Sequence, residues 1–453
     1  MVEALVTQAG KIAYVGDLNT AQSKYKNAAQ VNLNSKTLLP GFIDPHSHFD
    51  MVSNTIGQAN LNPPPVGKID SMDKLLQALK DYKIDNNIAD GEWIYGWGYD
   101  ESQLKEGRHP TKADIDKVLP NNPVYLQHTS GHMGVANSKA LAALNITADT
   151  KNPEGGNIAR VKGSSEPNGL VQETAMYPFM RRMLEVLEPN QAKFFEQTQD
   201  YYAKNGMTTF SQPYLTPVPD CKKDCRGLPS ISQDALNEMF AKAYKHDNQL
   251  FIHNNGDGAT DMIIKAHEYA VKKTGQAADK DRRTVPIHAQ FARPDQLEAF
   301  KKYKMLPSFF TNHAYFWGDV HVQNLGKKRA DFLSPIATAD KMGLKYTNHS
   351  DDTVTPVDPL FTVWSAVNRT SRSGKIIGAN ERATPYQALK AITTNAAYEY
   401  YEENSKGTLT KGKLADLVIL DANPLTVNAD KLKDIHVVTT IKEGKIIYQR
   451  PTK

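Results

Sequence analysis

His46, His48, His253, His288 and Asp351 are of the residue types that hold a first-row divalent cation, imidazole nitrogens combined with a carboxylate oxygen. The segment LLPGFIDPHSH, residues 38–48, delivers the first two in an HxH arrangement. On a regular strand, positions i and i+2 point to the same side, so both rings could face one ion at about 2.0–2.1 Å. Two ligands do not make a site. His253, His288 and Asp351 each follow an apolar run, at residues 250–252, 285–287 and 344–347, and they meet the pair only if those runs are neighbouring strands. Zinc is the default ion for such donors, in one or two copies. A bound ion brings the pKa of water from about 15.7 toward roughly 7, and an adjacent carboxylate can take that proton and pass it to a departing nitrogen. Such a centre would carry out hydrolysis by a metal-bound hydroxide, and Asp351, the carboxylate of the set, is the expected shuttle.

The elements that must position these groups alternate. Leu236, Met239, Phe240 and Ala243 have helical spacing just before the run at 250–252, and apolar runs alternate with amphipathic segments as in parallel βα units. Catalytic groups of parallel barrels gather at the C-terminal ends of strands, where these polar residues stand. The expected fold class is α/β: a (β/α)8 TIM-like barrel over residues 41–407. An insertion is expected around residues 90–167, where Gly, Pro, Asn and His are frequent and periodicity is weak. Residues 11–15 and 31–39 read as strands near one end. At the other, residues 437–441 and 445–448 flank Glu443-Gly444 like a hairpin. Residues 1–40 and 408–453 are therefore expected to form one small composite β-sandwich, because chain ends often lie close together.

Bulk properties exclude several classes. The 453 residues are 40% hydrophobic, 9% aromatic and 23% charged, the balance of a globular enzyme and not of a disordered chain. The net charge of +4 is spread without the basic stripe of a nucleic-acid surface, so a small-molecule substrate is expected and no nucleic acid. No apolar run reaches the ~20 residues of a membrane span, and the start MVEALVTQAGKIAYVGD lacks the basic and apolar regions of a leader. A cytoplasmic location is expected, or a periplasmic one if an upstream leader is missing, and a homodimer is the common prior for enzymes of this size. Cys221 and Cys225, in CKKDC, are either a short disulfide or two loop thiols.

LLPGFIDPHSH, the single histidines of FIHNNGD and PIHAQ, the HSDD segment and the closing GTLTKGKLADLVILDANPL together resemble the amidohydrolase superfamily. GWGYDES, SGHMGVANSKAL and PNGLVQE narrow the resemblance to the YtcJ-like branch of the amidohydrolase 3 family. The resemblance implies a metal-dependent hydrolase of non-peptide carbon–nitrogen bonds. It assigns His46 and His48 to one metal, His253 and His288 to a second, and Asp351 to the first as the catalytic carboxylate. A bridging anion is expected, and Glu173 fits the branch better than a carboxylated lysine, since no lysine closes a strand-like run between Glu173 and His253. His132, in the SGHMGVANS segment, is implied as an oxyanion donor or substrate contact. His313, Trp97 and Arg369 are further candidates for substrate contact. The stretch after residues 206–209 is shortened relative to the family, with Cys221 to Arg226 where another strand is expected. The same constellation would also serve a metallo-phosphoesterase or lactonase, or persist in a non-catalytic binding relative.

Overall fold

The computed structural model describes residues 2–210 and 231–451. Cys221 and Cys225 lie outside the described residues. The chain divides into two compact units, one of residues 1–47 with 200–453 and one of residues 48–199.

In the first unit, four parallel strands pair in chain order: Phe251–Asn254, Val285–His288, Ser308–Phe309 and Thr347–Asn348. Their register sets Asn254 beside His288, His288 beside Phe309, and Phe309 beside Asn348, so the strand ends line up. A second parallel pair joins Phe42–Asp44 to Met207–Phe210. Helices follow the strands. Gln233–Lys245 starts where Ser232 Oγ accepts from Ala235 N–H, and it buries Leu236, Phe240, Ala243 and Tyr244 on one face. Asp257–Thr274 stops at Gly275, whose φ of 67° suits a glycine C-cap. The unit is thus α/β. Among the described residues its parallel strands form a pair and a row of four, not a closed ring of eight.

The two chain ends do meet. Thr37–Pro40 pairs antiparallel with Leu417–Leu420, and Val437–Lys442 and Lys445–Gln449 extend that sheet. The N-terminal hairpin, Ala4–Gln8 with Lys11–Gly16, forms its own two-stranded sheet, and Ile12 packs with Ala415 and Leu417. The compact unit includes these ends together with the parallel strands, because Gly41 alone separates Thr37–Pro40 from Phe42–Asp44.

The second unit, which includes the residues 90–167 expected as an insertion, has regular structure. Six strands order as Ala59–Asn60, Ile94–Tyr99, Val124–His128, Met133–Ala136, Pro167–Glu173 and Gly156–Arg160, the first three parallel and the rest antiparallel. Leu61, Leu75, Leu79, Ile94, Val124 and Leu126 form one core cluster; Tyr95, Tyr125 and Phe179 anchor another. The strands are short and rich in glycine and polar residues, so their pairing, and not their periodicity, makes the sheet. Among the described residues, no helix is long and apolar enough to cross a membrane.

Candidate metal centre

The strand Phe42–Asp44 ends before its histidines, because Pro45 has no N–H for a ladder. The HxH pair is therefore not carried on a regular strand as its spacing suggested. His46 lies in the bend beyond, fully buried, and His48 forms the N-cap of the helix Phe49–Ile56. The Asp351 N–H donates to the His46 carbonyl at 3.1 Å, which ties this bend to the loop after Thr347–Asn348.

His46 Nε2 stands 3.0 Å from Asp351 Oδ1, and His288 Nε2 stands 3.9 Å from Asp351 Oδ2. Ligand atoms of these three buried residues all lie within 4.8 Å of one another. His253 Nδ1 adds a fourth donor 3.2 Å from His288 Nε2. Two nitrogens that each ligate one tetrahedral ion at 2.0–2.1 Å are separated by about 3.3 Å, close to this spacing. The donor set, neutral imidazole with one carboxylate, fits a divalent first-row metal. Burial holds the His288 ring well below the usual histidine range against the opposing charge of Asp351, so the ring is neutral, the form that ligates. At the outer side of His253, the Asn255 amide lies 3.2 Å from Nε2 while its Oδ1 is buried without a hydrogen-bond partner among the described residues. Turning that amide by half a rotation lets Oδ1 accept from Nε2–H and leaves Nδ1 bare toward His288.

Backbone conformation marks the same residues. His288 has φ 72° and Asp351 φ 55°, left-handed values that cost a non-glycine residue on the order of 1–3 kcal/mol. Asp44 sits beneath them, accepting from Ser350 N–H at 3.2 Å and from the Ser350 hydroxyl. Burial pushes its carboxyl up to about 7, and Asp352 is raised to about 7 for the same reason.

The other expected site residues have diverse settings. His313 contacts Gln290 at 3.0 Å and His321 at 3.2 Å; burial lowers its pKa, and the charges of Asp351 and His253 act on it. Arg369 is a correction to the expected substrate contact. It ends the helix Pro359–Asn368 in the left-handed region, fully buried, and its guanidinium donates to the carbonyls of Ile377, Ser334 and Leu333 at 2.6, 3.2 and 2.5 Å. Those donors serve the fold. In the second unit, Trp97 is buried on its strand, and Glu173 ends Pro167–Glu173 at φ 52°. Glu173 Oε2 lies 3.2 Å from His132 Nδ1, both side chains more than half exposed. The structure thus brings together His46, His253, His288 and Asp351. The sequence reading gave no role to His349, which touches His288, or to Asp44; the only signal was their place in the same motifs.

A second cluster, Asp100, Glu101 and His128, also has ligand atoms within 4.8 Å, inside the second unit. Its chemistry differs. The Ser130 N–H donates to His128 Nδ1 at 3.0 Å, so the ring hydrogen sits on Nε2, 2.7 Å from Glu101 Oε2. The His128 ring beside it draws the Glu101 carboxyl down to about 2. With its hydrogen on Nε2, this ring has no lone pair there to offer a cation.

Comparison with known proteins places these features. A family model described as the amidohydrolase family matches residues 29–218 and 209–448. The chain is 24% identical to the N-substituted formamide deformylase of Arthrobacter pascens, over 99% of this chain and 95% of that protein. It is also 24% identical to the putative amidohydrolase YtcJ of Bacillus subtilis, over 99% and 96%. The crystal structure of an uncharacterized metal-dependent hydrolase from Pyrococcus horikoshii is similar in fold, with a TM-score of 0.69 over 94% of each chain at 21% identity.

Proposed function

Since this chain belongs to the amidohydrolase family and is a hydrolase acting on carbon–nitrogen bonds, we propose that it cleaves a non-peptide, amide-type bond of a small molecule, with Asp351 carrying the proton. The observation that supports the reading is the convergence of His46, His288 and Asp351, with His253 at 3.2 Å from His288. On the same reading the two groups of parallel strands are arcs of a TIM-like barrel, and the sheets from the chain ends are a sandwich beside it. The relative from Arthrobacter points to N-substituted formamides, small secondary amides, as the first substrates to try.

His46, His253, His288 and Asp351 would hold the ion, with zinc the first choice. A divalent ion bound there supplies acidified water and a polarised carbonyl. Asp351 would take a proton from the attacking water and deliver it to the amide nitrogen, which otherwise leaves poorly as an anion. His313, held neutral by burial, contributes an N–H donor to the substrate wall.

Metal analysis of the purified chain is expected to find about one to two divalent ions. Asp351→Asn is expected to lower turnover of an N-substituted formamide by about 10²–10⁴-fold with most of the metal kept. Unchanged turnover in that variant removes Asp351 from the chemistry. Turnover of phosphotriesters or lactones but of no amide overturns the substrate class.

A further inference from the structure

We infer that His349 is a positioning residue of the metal centre: backed by Ser308, it accepts a hydrogen from His288 Nδ1 and so leaves the Nε2 lone pair for the cation. The inference rests on the metal-centre reading above. His349 Nε2 lies 2.9 Å from His288 Nδ1, and His349 Nδ1 lies 2.9 Å from Ser308 Oγ. Each neutral imidazole carries one hydrogen, so only two arrangements satisfy both contacts. In the first, Ser308 donates to His349, His349 donates to His288, and His288 is left with its hydrogen on Nε2. In the second, every hydrogen moves one place: His288 Nδ1–H donates to His349 Nε2, and His349 Nδ1–H donates to Ser308 Oγ. Only the second gives His288 a bare Nε2 facing His253 and Asp351. A cation at the centre therefore selects it, and any group that stabilises it strengthens metal binding.

The strand register builds this relay. His288 ends one strand, Ser308 starts the next, and His349 directly follows the third, its N–H donating to the Phe309 carbonyl at 3.0 Å. Phe310 stacks against the His349 ring at 5.0 Å between centroids with an interplanar angle of 26°, fixing the ring's plane. Ser308, His349 and His288 are all buried, so no bulk water competes for these contacts. Histidine ligands usually donate their second N–H to a carboxylate, carbonyl or water. Here another imidazole accepts it, and the serine hydroxyl accepts from that imidazole in turn.

The test uses the full chain stripped of metal, with zinc affinity measured by competition against a chromophoric chelator. His349→Met is expected to weaken zinc binding by about 10–100-fold, the range for groups that orient a ligand. His349→Gln is expected to recover most of that loss, because its amide oxygen can accept from His288 Nδ1–H where Nε2 did. Ser308→Ala is expected to cost about fivefold, the worth of one neutral hydrogen bond. The melting midpoint of each metal-free variant reports whether it folds as the parent does. Parent-like zinc affinity in His349→Met or in Ser308→Ala overturns the relay, as does equal loss in the Gln and Met variants. If His349→Met does not fold, the Gln and Ser308→Ala variants decide. A parent chain that takes up no zinc at all removes the metal-centre reading itself, an outcome visible before any variant is compared.

Discussion

In the first unit His46 Nε2 stands 3.0 Å from Asp351 Oδ1; in the second, His128 Nε2 stands 2.7 Å from Glu101 Oε2. Both clusters have the residue types and spacing of a metal site. They differ in where the hydrogens can be. A backbone N–H, that of Ser130, occupies His128 Nδ1, so its hydrogen sits on Nε2 and that nitrogen has no lone pair to give. In the first unit one carboxylate faces two rings, and His288 Nε2 faces His253 Nδ1 nitrogen to nitrogen. A single hydrogen can fill one such contact, but an ion fills all of them. Convergence of ligand-type residues is thus common to both clusters, and the groups behind the rings decide which of them is left with lone pairs to give.

The largest effect that tests this contrast is a paired substitution. His288→Ala is expected to lower zinc content at a fixed chelator concentration by more than tenfold, since losing a ligand exceeds the ~10–100-fold effect of losing a group behind one. His128→Ala is expected to leave zinc content at the parent value. Equal metal loss in both variants would break the distinction and make the second cluster a site as well.

Much of the first unit was legible in the sequence. The βα alternation and the polar residues closing successive apolar runs lead to the strand ends at His253, His288 and Asp351. The HxH spacing pointed to His46, which the structure brings beside Asp351, but not through i, i+2 alternation, because Pro45 ends the strand first. His349 was not legible as a participant. Its partner His288 is 61 residues away, and sideways contact between adjacent parallel strands leaves no period in the chain. The six-stranded sheet of the second unit was not legible for a related reason, since a sheet of short strands is made by pairing over distance. Arg369 shows the limit of residue type. It was expected as a substrate contact, whereas its left-handed position after a helix turns it onto three buried carbonyls.

That difference gives the next effect in size. Arg369→Met leaves the carbonyls of Ile377, Ser334 and Leu333 without donors and is expected to cost roughly 3–5 kcal/mol of stability. Turnover per folded molecule is expected to stay near that of the parent. A preserved melting midpoint with a raised KM would instead return Arg369 to the substrate site.

The smallest expected effects sharpen the contrast through pH, because each unit holds a glutamate displaced from its ordinary value of 4.5 in the opposite direction. Glu101 is drawn to about 2 by the His128 ring beside it, and Glu399, fully buried with Thr347 Oγ1 donating to it at 2.6 Å, is pushed up to about 8 by desolvation. The unfolded chain binds the Glu101 proton more readily than the folded one. Its contribution is therefore complete above pH 4.5 and is lost as pH falls toward 2. For Glu399 the folded chain binds the proton more readily, so its contribution is complete below pH 4.5 and is lost as pH rises through 8. In metal-free protein, Glu399→Gln is expected to flatten the decline of the melting midpoint between pH 5 and 8, and Glu101→Gln the decline below 4.5. The second change should be the smaller, since the Glu101 side chain is 30% exposed and solvent screens its pairing. A Glu399→Gln variant that keeps the parent's slope would mean that this carboxyl ionises normally in the folded chain, and desolvation would lose its place as the force that sets proton positions beneath the metal centre.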